Sequence, residues 1–258
     1  MCRARSSRGC SIRPSSPAAA SRAAPAVEAE RAGAAAPRDW ARIIRERLAG
    51  SRPRHDVSEW LVPGVWGPID PSQRRFYPRD PVPAAVLVPL IERPELTILF
   101  TQRAPDLRNH AGQISFPGGR IESRDEGSPR AAALREAREE IGLEERFVSV
   151  IGYLPDHLVI SGFRVTPVVA FVQPGFALSP DPKEVQDTFE VPVDHLFDPA
   201  NHHRNRRRSA FTGEEVEFCD IPYGERNIWG ATAGMLMTLY RLCVEPPAAD
   251  AARVGPHE

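Results

Sequence analysis

The stretch that decides the fold runs Ser128-Pro-Arg-Ala-Ala-Ala-Leu-Arg-Glu-Ala-Arg-Glu-Glu-Ile-Gly142. It predicts a helix, because Ser128 can cap the N-terminus, Pro129 suits the first helical position and Gly142 suits the C-terminal stop. One side of the predicted helix is apolar, so we expect it to pack against the core.

The acidic residues of this helix lie opposite its apolar side. At about 100° per residue, Glu136, Glu139 and Glu140 fall within an arc of roughly 100°. Glu-rich faces are commonly solvated surface. Here, however, like charges three and four residues apart repel each other, and the helix dipole disfavours anions in the last turns. A hard cation such as Mg2+ or Mn2+ would offset both effects, so the pattern favours a metal site.

The loop before the helix contains Phe116-Pro-Gly-Gly119, which follows the apolar Ile114. This order predicts a strand that ends in a tight turn. Gly118 and Gly119 would let the backbone approach a ligand closely. Alone, Pro-Gly-Gly indicates an ordinary turn, but beside an acidic helix it favours a binding loop.

The residues Arg135-Glu-Ala-Arg-Glu-Glu-Ile-Gly-Leu143 resemble the second half of the Nudix box, G-x5-E-x7-R-E-U-x-E-E-x-G-U, where U is a bulky apolar residue. The first half departs from the pattern, since 15 residues separate Gly119 from Arg135. Glu126 is the favoured first acidic residue, and Asp125 and Glu122 are the alternatives.

A longer stretch, from Leu99 to Gly119, is similar to the extra signature that precedes the Nudix box in coenzyme A diphosphatases. Later segments are also similar to that branch, so the resemblance covers roughly residues 80 to 245: Ser161-Gly-Phe-Arg-Val-Thr-Pro-Val168, Glu184-Val185 and Ile228-Trp-Gly-Ala-Thr-Ala233.

The resemblance implies an α/β fold, the Nudix-type α/β/α sandwich with a mixed β-sheet. It also implies Mg2+- or Mn2+-dependent hydrolysis of coenzyme A, or an acyl-CoA, to 4'-phosphopantetheine and 3',5'-ADP. Two alternatives stay open. The first is a Nudix pyrophosphatase acting on ADP-ribose, a dinucleotide or an oxidised nucleoside triphosphate; the second is a catalytically dead Nudix domain that senses a ligand.

By the same resemblance, Glu136, Glu139 and Glu140 would be metal ligands, with the Gly119 carbonyl as a further one. Arg135 would orient these carboxylates through Glu126. The general base would be Glu136 itself or Glu184.

Three further residues in the extra signature are candidate substrate contacts: Arg103, Arg108 and His110. Taken singly they would be ordinary surface charges. Within the signature we expect them to grip the 3'-phosphate or the pyrophosphate, since a guanidinium offers a planar fork suited to phosphate.

Four segments are predicted along the chain. These are a disordered low-complexity tail (1–37), an N-terminal helix with a Pro-rich connector (38–79), the Nudix hydrolase domain (80–245) and a C-terminal tail (246–258). Apolar periodicity places the first helix at Trp40–Leu48. Further predicted elements are strands at Ala84–Ile91, Leu96–Thr101, Val148–Leu154 and Val165–Val172, and a closing helix at Ile228–Leu242.

The composition narrows the function classes. A net charge of -1 over 258 residues gives no net attraction to nucleic acid, and the basic run His202–Arg208 is interpreted as a solvated loop. No stretch reaches the roughly 18 apolar residues of a membrane span. The four cysteines lack CxxC spacing. We therefore expect a cytoplasmic enzyme, with import into an organelle and formation of a homodimer as open alternatives. Trp229 and Tyr240 lie at helical spacing, and we expect both to belong to the core.

Overall fold

A computed structural model describes residues 38–53, 79–107, 110–159, 161–208, 213 and 215–245. Its helices are α1 (Trp40–Leu48), α2 (Pro129–Ile141), α3 (Val193–Leu196) and α4 (Gly230–Val244). Its strands are β1 (Val82–Ile91), β2 (Thr97–Arg103), β3 (Ile114–Ser115), β4 (Gly118–Arg120), β5 (Val148–Tyr153), β6 (His157–Leu158), β7 (Phe163–Val172), β8 (Val185–Pro192), β9 (His203–Arg208), β10 (Glu215–Tyr223) and β11 (Arg226–Trp229).

The main sheet is mixed. Its central path is β3-β2-β1-β7-β5, with β4 paired to β1, β6 to β7 and β8 to β2. Strands β1 and β7 run parallel over their whole length, while every other pair in this sheet is antiparallel. A second sheet has the order β11-β10-β9. The buried, β-branched β1 and β7 thus form the centre, as expected of strands covered on both faces.

Helices cover both faces of the main sheet. On one face, α2 buries Leu134, Ala137 and Ile141 against residues of β1 and β7. On the other face, α1 and α4 share a buried cluster with Phe100 of β2 and Val169 of β7. These layers are those of the predicted α/β/α sandwich.

The predicted ends of α2 are confirmed. The Ser128 hydroxyl accepts a hydrogen bond from the Ala131 amide at 3.2 Å, and Pro129 is the first helical residue. Gly142 closes the helix in the left-handed region, with φ of 70°. Helix α1 spans the predicted residues, and its Trp40 indole donates to Asp194 at 2.6 Å.

Three local predictions are wrong. Ile228 and Trp229 belong to β11, because Gly230, with φ of 65°, is the first residue of α4. Trp229 is half-buried. The basic run predicted as a loop contains β9, which pairs with β10. Gly118 and Gly119 form no tight turn, since they lie in β4 and pair with Val86 and Ala85 of β1.

Candidate functional site

Arg135 is the centre of a network of carboxylates. Its Nε and Nη2 donate to the two oxygens of Asp125, each at 2.9 Å. Its Nη1 donates to Glu136 at 2.8 Å and to Glu139 at 2.9 Å. Nη2 also donates to the Arg120 carbonyl at 3.0 Å. Arg135 therefore ties α2 to β4 and to the loop between them.

The structure corrects the predicted partner of Arg135, which is Asp125 and not Glu126. A 3-10 turn over Ser123–Asp125 directs the Asp125 side chain inward, where it is only 4% exposed and also accepts the Glu122 amide at 2.8 Å. Glu126 ends that turn in the left-handed region, with φ of 52°, and is exposed. The loop is two residues longer than in the usual motif, so spacing alone does not predict which acidic residue the turn directs inward to Arg135.

Glu140 is a buried carboxylate, 4% exposed. One of its oxygens accepts the Gly118 amide at 3.1 Å. Burial is the main cause that raises its pKa to about 8, and the charges of Glu136 and Glu184 raise it further. The Gly118 amide and the Arg103 guanidinium act in the opposite direction. A buried carboxylate of this kind, surrounded by like charges, is well placed to receive a cation.

Glu136 lies directly over the backbone of Gly119. A Cβ atom at Gly119 would come within 2.3 Å of a Glu136 carboxylate oxygen, so only glycine leaves room for it. Burial raises the pKa of Glu136, and the Arg135 guanidinium partly counteracts this rise. The two predicted loop glycines thus each contact one acidic residue of α2.

Glu184 is distant in sequence but is brought to the same cluster. It is exposed, and its charge raises the pKa of both Glu136 and Glu140. The loop before β8 is held against the end of α2, because the Asp181 amide donates to the Glu140 carbonyl at 2.9 Å. The Glu184 carbonyl in turn accepts the Ala104 amide at 2.9 Å, which fixes this loop to the end of β2.

Arg103 is the last residue of β2, and its charge acts to lower the pKa of Glu140. Its Nε is buried and has no hydrogen-bond acceptor among the described residues. His110 is exposed and bonds through Nδ1 to the Gln113 side chain at 2.9 Å. The third predicted substrate contact, Arg108, lies outside the described residues.

The described residues contain no group of three His, Cys, Asp or Glu side chains arranged as metal ligands. Glu136 and Glu139 instead bond to Arg135, and Glu140 bonds to Gly118. The donor chemistry nevertheless fits a hard divalent ion, since the three acidic side chains offer carboxylate oxygens and the Gly119 backbone adjoins Glu136. Oxygen-only donor sets of this kind are found in enzymes that bind phosphate groups through Mg2+.

Comparison with known proteins gives the family. The NUDIX domain model matches residues 81–211. The chain is 39% identical over 161 residues to "Uncharacterized Nudix hydrolase NudL" of Klebsiella pneumoniae (strain 342), covering 60% of this chain and 80% of that protein. The protein of the same name from Cronobacter sakazakii (strain ATCC BAA-894) is 39% identical over 171 residues, or 64% and 84% of the two chains. The chain belongs to the Nudix family.

Nudix hydrolases act on small molecules and generally use divalent metal ions such as Mg2+ or Mn2+. Among solved structures, the Nudix hydrolase RenU from M. smegmatis overlays with a TM-score of 0.39 and 25% identity, over 45% of this chain and 74% of that one. No helix among the residues described by the structure is long and apolar enough to cross a membrane.

Proposed function

We propose that this Nudix hydrolase cleaves the pyrophosphate bond of coenzyme A, or of an acyl-CoA, to 4'-phosphopantetheine and 3',5'-ADP. The observation that carries the proposal is the position of Arg103. This residue lies in the stretch that resembles the coenzyme A signature. Its Nε is buried without a hydrogen-bond acceptor among the described residues, and its charge acts on Glu140 of α2. A guanidinium in such a position is suited to a substrate phosphate.

The carboxylates Glu136, Glu139 and Glu140, with the Gly119 carbonyl, would hold Mg2+ or Mn2+. When bound, the ion supplies charge neutralisation on the pyrophosphate, ionisation of the attacking water and stabilisation of the leaving oxygen. Arg135, fixed by the buried Asp125, holds the side chains of Glu136 and Glu139 in place. It is a positioning residue, because its donors are taken by protein oxygens.

The general base would accept a proton from the attacking water, and Glu184 suits this role better than Glu136. Glu184 is exposed to solvent, and its charge raises the pKa of the half-buried Glu136 and of the buried Glu140. Glu136 already accepts a hydrogen bond from Arg135 and would be a metal ligand, so its oxygens are less available to the attacking water.

Arg103→Ala tests the phosphate contact. If Arg103 binds the 3'-phosphate, kcat/KM falls by roughly ten- to a hundredfold on coenzyme A and far less on dephospho-coenzyme A. Equal losses on both substrates assign Arg103 to the pyrophosphate instead. Arg93→Ala is the control, because Arg93 pairs with Glu190 on the surface at 2.7 Å and should affect neither substrate.

A substrate panel tests the proposed specificity against the other Nudix activities. Coenzyme A, ADP-ribose, a dinucleotide and an oxidised nucleoside triphosphate are compared by kcat/KM with Mg2+ and with Mn2+. Coenzyme A is expected to be preferred. If ADP-ribose or a dinucleotide is preferred, Nudix chemistry stands and the coenzyme A proposal is wrong.

A further inference from the structure

A cleft of about 380 Å³ lies beside the end of β2, apart from the carboxylates of α2. One wall comes from the coenzyme A signature, through Gln102 and Gln113. The opposite wall comes from the hairpin of β10 and β11, through Arg226, Asn227 and Trp229. Nothing in the proposed hydrolysis uses the hairpin wall.

The cleft is within reach of a ligand bound at the carboxylates. Gln102 and Arg103 are consecutive residues at the end of β2, where the pairing with β8 shifts register. Gln102 lines the cleft, whereas Arg103 acts on Glu140. Gln113 also lies only five residues before Gly118, which limits their Cα separation to about 18 Å. An extended ligand can therefore pass around the strand end from one site to the other.

Arg226 is held in position, and one of its donors has no partner in the described part of the chain. Its guanidinium stacks over the Phe189 ring at 3.7 Å, and its Nη2 donates to Asp187. Its Nη1 is buried and has no acceptor among the described residues. A buried donor without a partner is unfavourable, so an incoming acceptor would be stabilised there.

The charge of the cleft disfavours another phosphate. Asp187 already neutralises Arg226, and Glu225 adds a carboxylate to the lining. The remaining polar groups are the neutral carboxamides of Gln102, Gln113 and Asn227. Carboxamides and an arginine N–H are complementary to amide carbonyls and N–H groups, and Trp229 adds apolar surface for a methylene chain.

We propose that this cleft binds the pantetheine arm of the substrate, a neutral chain with two amides and a hydroxyl, and that Arg226 Nη1 donates to one of its carbonyl oxygens. The proposal rests on the proposed function for the identity of the substrate. The nucleotide half would then lie on the Arg103 side of the strand end.

Binding of pantetheine itself is the test, measured by ligand-observed NMR titration of the full chain without metal. Pantetheine carries no phosphate and is not hydrolysed, so the readout does not depend on turnover. Arg226→Lys keeps the charge that pairs with Asp187 but lacks Nη1, and Asn227→Ala removes an exposed carboxamide. Each is expected to raise the pantetheine Kd by roughly tenfold, the equivalent of one hydrogen bond.

Arg45→Lys is the matched control. Arg45 also stacks over a phenylalanine, Phe171, at 3.6 Å and pairs with a carboxylate, Glu92, at 2.7 Å, but it lies on α1. It should leave the Kd for pantetheine unchanged.

Absence of pantetheine binding to the unmodified protein overturns the proposal. Unchanged pantetheine binding in Arg226→Lys and Asn227→Ala, with weaker binding of 3',5'-ADP, also overturns it and assigns the cleft to the nucleotide. Pantetheine binding that the two variants weaken supports the proposal even if coenzyme A is not hydrolysed. Weakened pantetheine binding in the variants, together with no hydrolysis of coenzyme A, would reject the proposed function and leave the proposed pantetheine site standing.

Discussion

Replacing Asp125 by Asn removes the buried anion that holds Arg135 while keeping the size of the side chain. In the native protein the Arg135 and Asp125 side chains are 14% and 3% exposed and share two hydrogen bonds. An Asn side chain can accept only one of these bonds. Its NH2 group would point at the second guanidinium N–H, and two hydrogen-bond donors would then face each other.

The expected loss follows from this geometry. Removing one partner of a buried ion pair costs about 3–5 kcal/mol. Arg135 retains Glu136, Glu139 and the Arg120 carbonyl, so the lower end, about 3 kcal/mol, is expected. For a domain of this size that corresponds to a fall in Tm of roughly 6 to 12 °C.

The assay is urea unfolding of the metal-free protein, with Glu126→Gln as the matched control. Glu126 is exposed and its substitution should change the free energy of unfolding by less than about 0.5 kcal/mol. The Arg135 guanidinium lowers the pKa of Asp125, so its stabilisation is complete at neutral pH and is lost as the pH falls through the folded-state value. The difference between native protein and Asp125→Asn should therefore shrink in acid below about pH 4. Equal losses in the two variants, or a larger loss in Glu126→Gln, would refute the assignment of Asp125.

Three other predictions follow from the same site and core. Gly119→Ala should lower turnover at least tenfold and leave the free energy of unfolding nearly unchanged, because its Cβ would contact only the flexible end of the Glu136 side chain. Gly118→Ala should instead destabilise the fold, because its Cβ would lie 2.4 Å from the Ala85 carbonyl oxygen. Glu140→Gln should abolish metal-dependent turnover, and an unaltered rate would remove Glu140 from the site. Because burial raises the pKa of Glu140 to about 8, the metal-free native protein should also lose stability relative to this variant as the pH rises from 5 to 8. Burial lowers the pKa of His157 to about 4, so the native protein should lose about 3 kcal/mol between pH 6.5 and 4 that His157→Gln does not lose, as measured by chemical unfolding at each pH.

Much of the site could be predicted because its signals are local. The caps of α2 and the side on which its glutamates lie depend on residues within one helix, and helical periodicity describes them well. The same is true of the long apolar strands β1 and β7, whose burial on both faces leaves an uninterrupted apolar run.

The remaining features depend on contacts between distant segments. The choice of Asp125 over Glu126 depends on a 3-10 turn inside a lengthened loop, which spacing does not determine. Trp229 follows the helical period of α4 but directly precedes its first residue, Gly230, and the tertiary pairing of β11 with β10 prevails. The basic β9 is a strand because β10 pairs with it, although its own residues are typical of a solvated loop.

The most direct test of the central claim is analysis of the products formed from coenzyme A in 18O-labelled water by the full chain with Mg2+. Release of 4'-phosphopantetheine and 3',5'-ADP, with the label in the newly formed phosphate of one of them, is the predicted result. It should disappear on chelation and in Glu140→Gln. Release of inorganic phosphate from the 3'-position, or no metal-dependent product at all, would contradict pyrophosphate cleavage of coenzyme A at this site.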